Sequence, residues 1–236
     1  MCFLNILACS LASLILVQPL EEEHEVVNLS MEEQIFEADY YFEKTGEPKG
    51  GIILAHGGNH VKLASNLGYT LSQHGWSVLI LTQTQNQSQQ DQDKIENPVS
   101  VQLSAAVEFM ETKKGLFNLV LLSSGPSWPN VSRYLMDAQS KTESIRGLIL
   151  HNAQRTMDIK DLNDNLAILD LVTHRAPTFA YQGRKLHSKR FKMSNYQQLN
   201  LHLPQNLVLY GEDKLSRRIR GWLRIHVQGV EIEKKT

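Results

Sequence analysis

Gly51-Ile52-Ile53-Leu54-Ala55-His56-Gly57-Gly58-Asn59-His60 is the stretch on which the reading of this chain turns. Ile52 to Ala55 is a short unbroken apolar run. Side chains of a strand alternate between two faces, so such a run belongs to a strand covered on both. The character changes at His56, where Gly57 and Gly58 permit a sharp turn that aims backbone amides into a cleft. A helix-like stretch, about Leu63 to His74, follows and is stopped by Gly75. Val78-Leu79-Ile80-Leu81 then repeats the apolar run. Strand, turn, helix and strand in that order describe a parallel crossover unit.

The same alternation extends outward. Upstream, Ile35 to Phe42 places Phe36, Ala38, Tyr40 and Phe42 on one face, which is strand spacing, and Thr45 to Gly50 is a turn. Downstream, residues 83–97 are glutamine-rich and read as a polar loop. Val101 to Met110 has helical spacing, Leu119 to Leu122 is a third run, and a helix near Val131 to Ala138 leads to a fourth run, Leu148 to Leu150. Asp158 to Val172 reads as a helix with Ile159, Leu162, Leu166 and Leu169 on one side. Pro177 to Tyr181 is a fifth run, Leu207 to Tyr210 a sixth, and a basic helix spans about Leu215 to Ile225. The expected fold class is α/β: a doubly wound, mostly parallel sheet with an antiparallel N-terminal strand and helices on both faces. No proline- or glycine-rich linker and no fixed repeat divides it, so residues 35–226 read as one domain, followed by a tail at 227–236.

With 236 residues, 42% hydrophobic and 21% charged, the chain suits one soluble domain with a sizeable core. A net charge of −1 with no long basic block argues against a general nucleic-acid partner. Residues 1–20 open with the uncharged stretch Met1 to Val17, short for a membrane span, and are expected to be an export signal or an anchor. Residues 21–34 read as an acidic lead-in. Both cysteines, Cys2 and Cys9, fall in the first segment, so the remainder offers neither a disulfide nor a thiolate catalyst.

Ligands of such sheets bind at the carboxyl ends of the strands. After the first run, His56-Gly57-Gly58-Asn59-His60 resembles the loop that supplies part of the oxyanion hole in α/β-hydrolases. Its alternative reading is a bare strand-to-helix turn. His56 and His60 lack an acidic companion and the zinc-protease spacing, so no metal is expected. Dinucleotide and phosphate-loop motifs are absent from the sequence, and no cofactor is expected.

The third run should end in a nucleophile elbow, Gly-x-Ser-x-Gly. The chain instead reads Ser123-Ser124-Gly125-Pro126-Ser127. Gly125 falls where the nucleophile belongs, and Ser123 and Ser127 fall where glycines belong. A shift of one residue offers Ser124 as nucleophile. The acid should follow the fifth run, where Gln182 to Lys185 stand. The histidine should follow the sixth, where Gly211 to Lys214 stand. In another register Asp213 is the acid, but little chain then remains for a histidine. The catalytic candidates are thus Ser124, His56, His151 and Asp213. Arg217, Arg218, Arg220 and Arg224 on the last helix read as a solvated face, or as a contact with anionic lipid or a protein partner.

The stretch from Gly51 to His60, the segment Leu71 to Leu81 with its Gly75-Trp76 strand entry, and Arg217-Arg218-Ile219-Arg220-Gly221-Trp222-Leu223 resemble a bacterial envelope family catalogued as domain of unknown function 3530. The resemblance covers about residues 35 to 225. It implies an α/β-hydrolase-like fold, export to the periplasm or envelope, and no assigned reaction. Thr82-Gln83-Thr84-Gln85 departs from it, where a proline-containing strand exit is expected. Two functions fit these readings. One is a catalytically degenerate protein that keeps its cleft for an unknown small molecule or an envelope protein. The other is an atypical serine esterase using Ser124 with His56 or His151.

Overall fold

The structure, a computed structural model, describes residues 24–31, 33–57, 61–83, 98–137, 143–153, 162, 166–173, 178–201 and 213–228. Eight strands form one sheet: β1 (Glu25–Met31), β2 (Gln34–Tyr41), β3 (Gly50–Gly57), β4 (Trp76–Gln83), β5 (Leu119–Ser124), β6 (Ile145–His151), β7 (Ala167–Val172) and β8 (Tyr196–Asn200), in the order β1-β2-β4-β3-β5-β6-β7-β8. β2 pairs antiparallel with both β1 and β4, and every other pair is parallel. The antiparallel strand expected over residues 35–42 is therefore β2.

Alternation along each strand divides the core into two layers. Ile53 and Ala55 of β3 face one layer with Leu79, Leu121 and Leu148. Ile52 and Leu54 face the other with Val78, Val120 and Ile149. The first layer is covered by α2 (Pro98–Glu108), which ends in a π-helical turn at Phe109–Lys113, and by α3 (Trp128–Asp137). The second is covered by α1 (Val61–Ser72) and α5 (Lys214–His226). In α5 the buried residues Leu215, Ile219, Trp222 and Leu223 recur at helical spacing, so one stripe of the helix meets the sheet. Gly75 has φ +88, a conformation that side-chain residues rarely adopt, and it ends the turn after α1 so that β4 begins at Trp76.

Several elements correct the sequence expectations. Residues 25–31, expected within the acidic lead-in, form β1, in which buried Val27 and Leu29 alternate with exposed neighbours. Residues 167–172, expected to close a helix, form β7. Asp170 interrupts the apolar run there, and the spacing of Leu162, Leu166 and Leu169 mimics a helix. Residues 178–181, expected as a strand, open α4 (Thr178–Arg190). In the sequence Pro177 directly precedes that helix, a position that tolerates proline. β8, with sequence Tyr-Gln-Gln-Leu-Asn, is an edge strand with little apolar content and carried no strand signal. The expected strand at 207–210 and most of the expected helical stretch before residue 166 lie outside the described residues.

Candidate functional site

Parallel pairing brings four side chains level with one another at the carboxyl ends of the central strands. Thr82 of β4 lies beside His56 of β3, His56 beside Ser124 of β5, and Ser124 beside His151 of β6. Each is two residues beyond an apolar residue of the second core layer, so the row occupies the α1 and α5 side of the sheet. His56, Ser124 and His151 are buried, and Thr82 is exposed.

At the end of β5 the chain turns through a short 3₁₀ segment, Gly125–Ser127, straight into α3. Gly125 has φ +64, so the position that a hydrolase motif gives to its nucleophile carries a left-handed backbone and no side chain. The two flanking serines close the turn. Ser127 Oγ donates to the Ala55 carbonyl oxygen at 2.8 Å, with the Ser124 carbonyl oxygen a longer alternative at 3.2 Å. A hydroxyl has one proton, so Ser127 accepts from Ser123 Oγ, 2.8 Å away. These bonds tie the turn back to β3.

Ser124 Oγ lies 2.9 Å from His151 Nδ1. The direction of that bond follows from the next residue. The Thr173 backbone N–H donates to Asn152 Oδ1 at 2.9 Å, which fixes the amide orientation. Asn152 Nδ2 then donates to Thr173 Oγ1 at 2.7 Å and to His151 Nε2 at 2.9 Å. Thr173 Oγ1 itself lies 3.1 Å from His151 Nε2. With Nε2 accepting, a neutral imidazole carries its proton on Nδ1 and donates to Ser124. In this tautomer Ser124 Oγ accepts from the ring instead of giving it a proton. The opposite tautomer would set an Nε2–H against the Asn152 N–H. Asn152 has φ +52, and its place directly after a strand-terminal histidine is the sequence signal that went unread.

His56 Nδ1 lies 3.0 Å from the Gly57 carbonyl oxygen, which can only accept, so its Nε2 is left to accept from Thr82 Oγ1 at 3.4 Å. Gly58, Asn59 and His60 lie outside the described residues. Asp213 is not level with this row. Its Oδ1 accepts from the Ser216 backbone N–H at 2.6 Å and its own N–H is met by Ser216 Oγ at 3.2 Å, a reciprocal cap at the start of α5. Arg217, Arg218 and Arg224 are exposed on α5, and Arg220 is half-buried. The expected acid position, after the fifth strand run, moves with the corrected strands: β7 is followed in sequence by Thr173-His174-Arg175-Ala176-Pro177, which contains no carboxylate. β8 is followed by Leu201-His202, and His202 lies outside the described residues.

A second polar cluster escaped sequence reading. Asp170 and Arg184 are fully buried side chains joined by two bonds, Nε to Oδ2 at 2.7 Å and the terminal nitrogen to Oδ1 at 3.1 Å. Arg184 also donates to the Ala153 carbonyl at 3.1 Å. Tyr196 and Gln198 of β8 donate to Asp170 Oδ2 at 2.5 and 3.0 Å. This hydrogen-bonded carboxylate joins β7, β8 and α4.

Solved structures similar to this one include several hydrolases. An esterase domain from a Rhodothermus marinus protein superposes with a TM-score of 0.61 at 10% identity, covering 86% of this chain and 99% of its own. A serine hydrolase without a lid from Xanthomonas campestris gives 0.60 at 11% identity, covering 89% and 97%. A dienelactone hydrolase from Anabaena variabilis gives 0.59 at 12% identity, covering 87% and 99%. At such identities the likeness establishes the α/β-hydrolase fold alone. No curated protein matches the sequence. Residues 81–225, more than half of the chain, match a family described as protein of unknown function DUF3530. The chain belongs to the DUF3530 family and has the α/β-hydrolase fold.

Proposed function

We propose that this protein is a catalytically inactive α/β-hydrolase-fold protein that uses the cleft above β3, β5 and β6 to bind a small molecule or an envelope protein. The observation that carries this reading is Gly125, with φ +64, at the nucleophile's place in the elbow. Loss of a nucleophile alone can reduce turnover by about 10⁶. The tautomer imposed on His151 supports the same reading, since it leaves Ser124 as an acceptor. We place the protein in the bacterial periplasm or envelope, on the apolar Met1 to Val17 and the cysteine-free remainder. Intact residues 1–20 on protein recovered from the cytosol would argue against that location.

One observation favours a second reading, a weak serine esterase: the 2.9 Å contact between Ser124 Oγ and His151 Nδ1. A fluorophosphonate probe on the purified protein separates the two. A non-catalytic binder stays unlabelled. Labelling that disappears in Ser124→Ala would establish a reactive serine and overturn the proposal.

A further inference from the structure

The outer face of α4 has no use in the cleft. The inner line of that helix is Ala180, Arg184 and Ser188, all buried, with Arg184 reaching Asp170. Phe179 and Leu186, two helical turns apart, stand on the other side at 86% and 68% exposure. Lys185, Lys189 and Arg190 are exposed around them, and Phe191 and Lys192 continue the surface just past the helix. Arg190 lies over the Phe191 ring, 5.7 Å from its centroid. From Leu171 to Gly211 the chain contains no Asp or Glu, and besides Arg184, whose charge Asp170 neutralises, it carries five cations: Arg175, Lys185, Lys189, Arg190 and Lys192. Over a chain of net charge −1 that is a marked local imbalance.

We propose that α4 docks on an anionic phospholipid surface. Large apolar side chains flanked by lysine and arginine on one helix face suit the boundary between headgroups and acyl chains, which takes both at once. Aliphatic Leu186 has no such use against a nucleic-acid backbone, and an acidic protein would leave Phe179 without a partner of its own chemistry. Phe179 and Leu186 enter the boundary, while Lys185, Lys189 and Arg190 meet lipid phosphates. The surface is independent of whatever the cleft binds.

The test uses the full chain and vesicles of phosphatidylglycerol and phosphatidylethanolamine, with phosphatidylcholine vesicles as control. Trp76, Trp128 and Trp222 are buried, so a Phe179→Trp variant adds one exposed reporter. Its emission should shift to the blue and be quenched by brominated acyl chains on the anionic vesicles only, and salt should weaken the effect. Lys189→Glu with Arg190→Glu should lower vesicle partitioning by about tenfold or more. Leu186→Ser should lower it as well. Arg217→Glu with Arg218→Glu, on α5 across the sheet, should leave it within about twofold. A silent reporter overturns the proposal. So does vesicle binding that the α4 variants leave unchanged, since residues 1–20 or α5 would then carry it. A reporter shift with duplex DNA but not with vesicles would assign the face to nucleic acid and overturn it too.

Discussion

At the scale of single residues, the site rests on two left-handed positions, Gly125 at φ +64 and Asn152 at φ +52. A side chain at Gly125 meets the steric penalty of that conformation, roughly 1–2 kcal/mol. Gly125→Ser should therefore lower the melting temperature while, on the proposed inactivity, leaving ester hydrolysis at background. Asn152 combines its backbone conformation with three buried hydrogen bonds, to Thr173 twice and to His151 once. Asn152→Ala should cost about 2–4 kcal/mol in urea unfolding, and Asn152→Gly less, since glycine relieves only the backbone part. An equal cost for both would show that the bonds alone matter. The broken elbow was legible from the order Ser123-Ser124-Gly125. The Ser124–His151 pairing was not, because it depends on β5 and β6 being neighbours in register.

At the scale of elements, Asp170 and Arg184 decide how β7, β8 and α4 assemble. Removing one member leaves a buried, uncompensated charge, so Asp170→Asn or Arg184→Met should each cost roughly 3–5 kcal/mol. The double variant Asp170→Leu with Arg184→Met should cost less than the two single changes together, as an unfolding cycle would reveal. Tyr196 belongs to the same cluster. Burial first, and the neighbouring Asp170 charge second, raise its hydroxyl well above the ordinary tyrosine value of 10.0. A raised native value means stability that is intact below the unfolded value and drains away as pH climbs beyond it. Tyr196→Phe should flatten the loss of stability above about pH 10. Tyr134, pushed up to about 12 by burial, adds a loss that falls between 10.0 and that value. This cluster also explains which elements the sequence disguised. Asp170 broke the apolar run of β7, and the polar β8 looked like loop. With β7 at Ala167–Val172 and β8 at Tyr196–Asn200, the segments that follow these strands begin at Thr173 and Leu201, earlier in the chain than the apolar runs suggest. Continuous apolar runs such as Ile52 to Ala55 and Leu119 to Leu122 carried no such ambiguity, because both of their faces are buried.

At the scale of the whole molecule, an α/β-hydrolase sheet carries Thr82, His56, Ser124 and His151 level with one another at the carboxyl ends of its central strands. Order β1-β2-β4-β3-β5-β6-β7-β8 places the elbow in the middle of the sheet, between two core layers that hold it rigidly. Gly125 takes the left-handed position of the elbow without a side chain, and Ser123, Ser127 and the Ala55 carbonyl tie the turn to β3. No helix among the described residues is long and apolar enough to cross a membrane, and α4 presents Phe179 and Leu186 at the surface. The most direct test of catalytic inactivity is steady-state hydrolysis of an activated aryl ester by the wild-type protein beside Ser124→Ala and His151→Phe. All three should match the uncatalysed rate. Wild-type turnover well above that rate, abolished by both substitutions in folded protein, would contradict it.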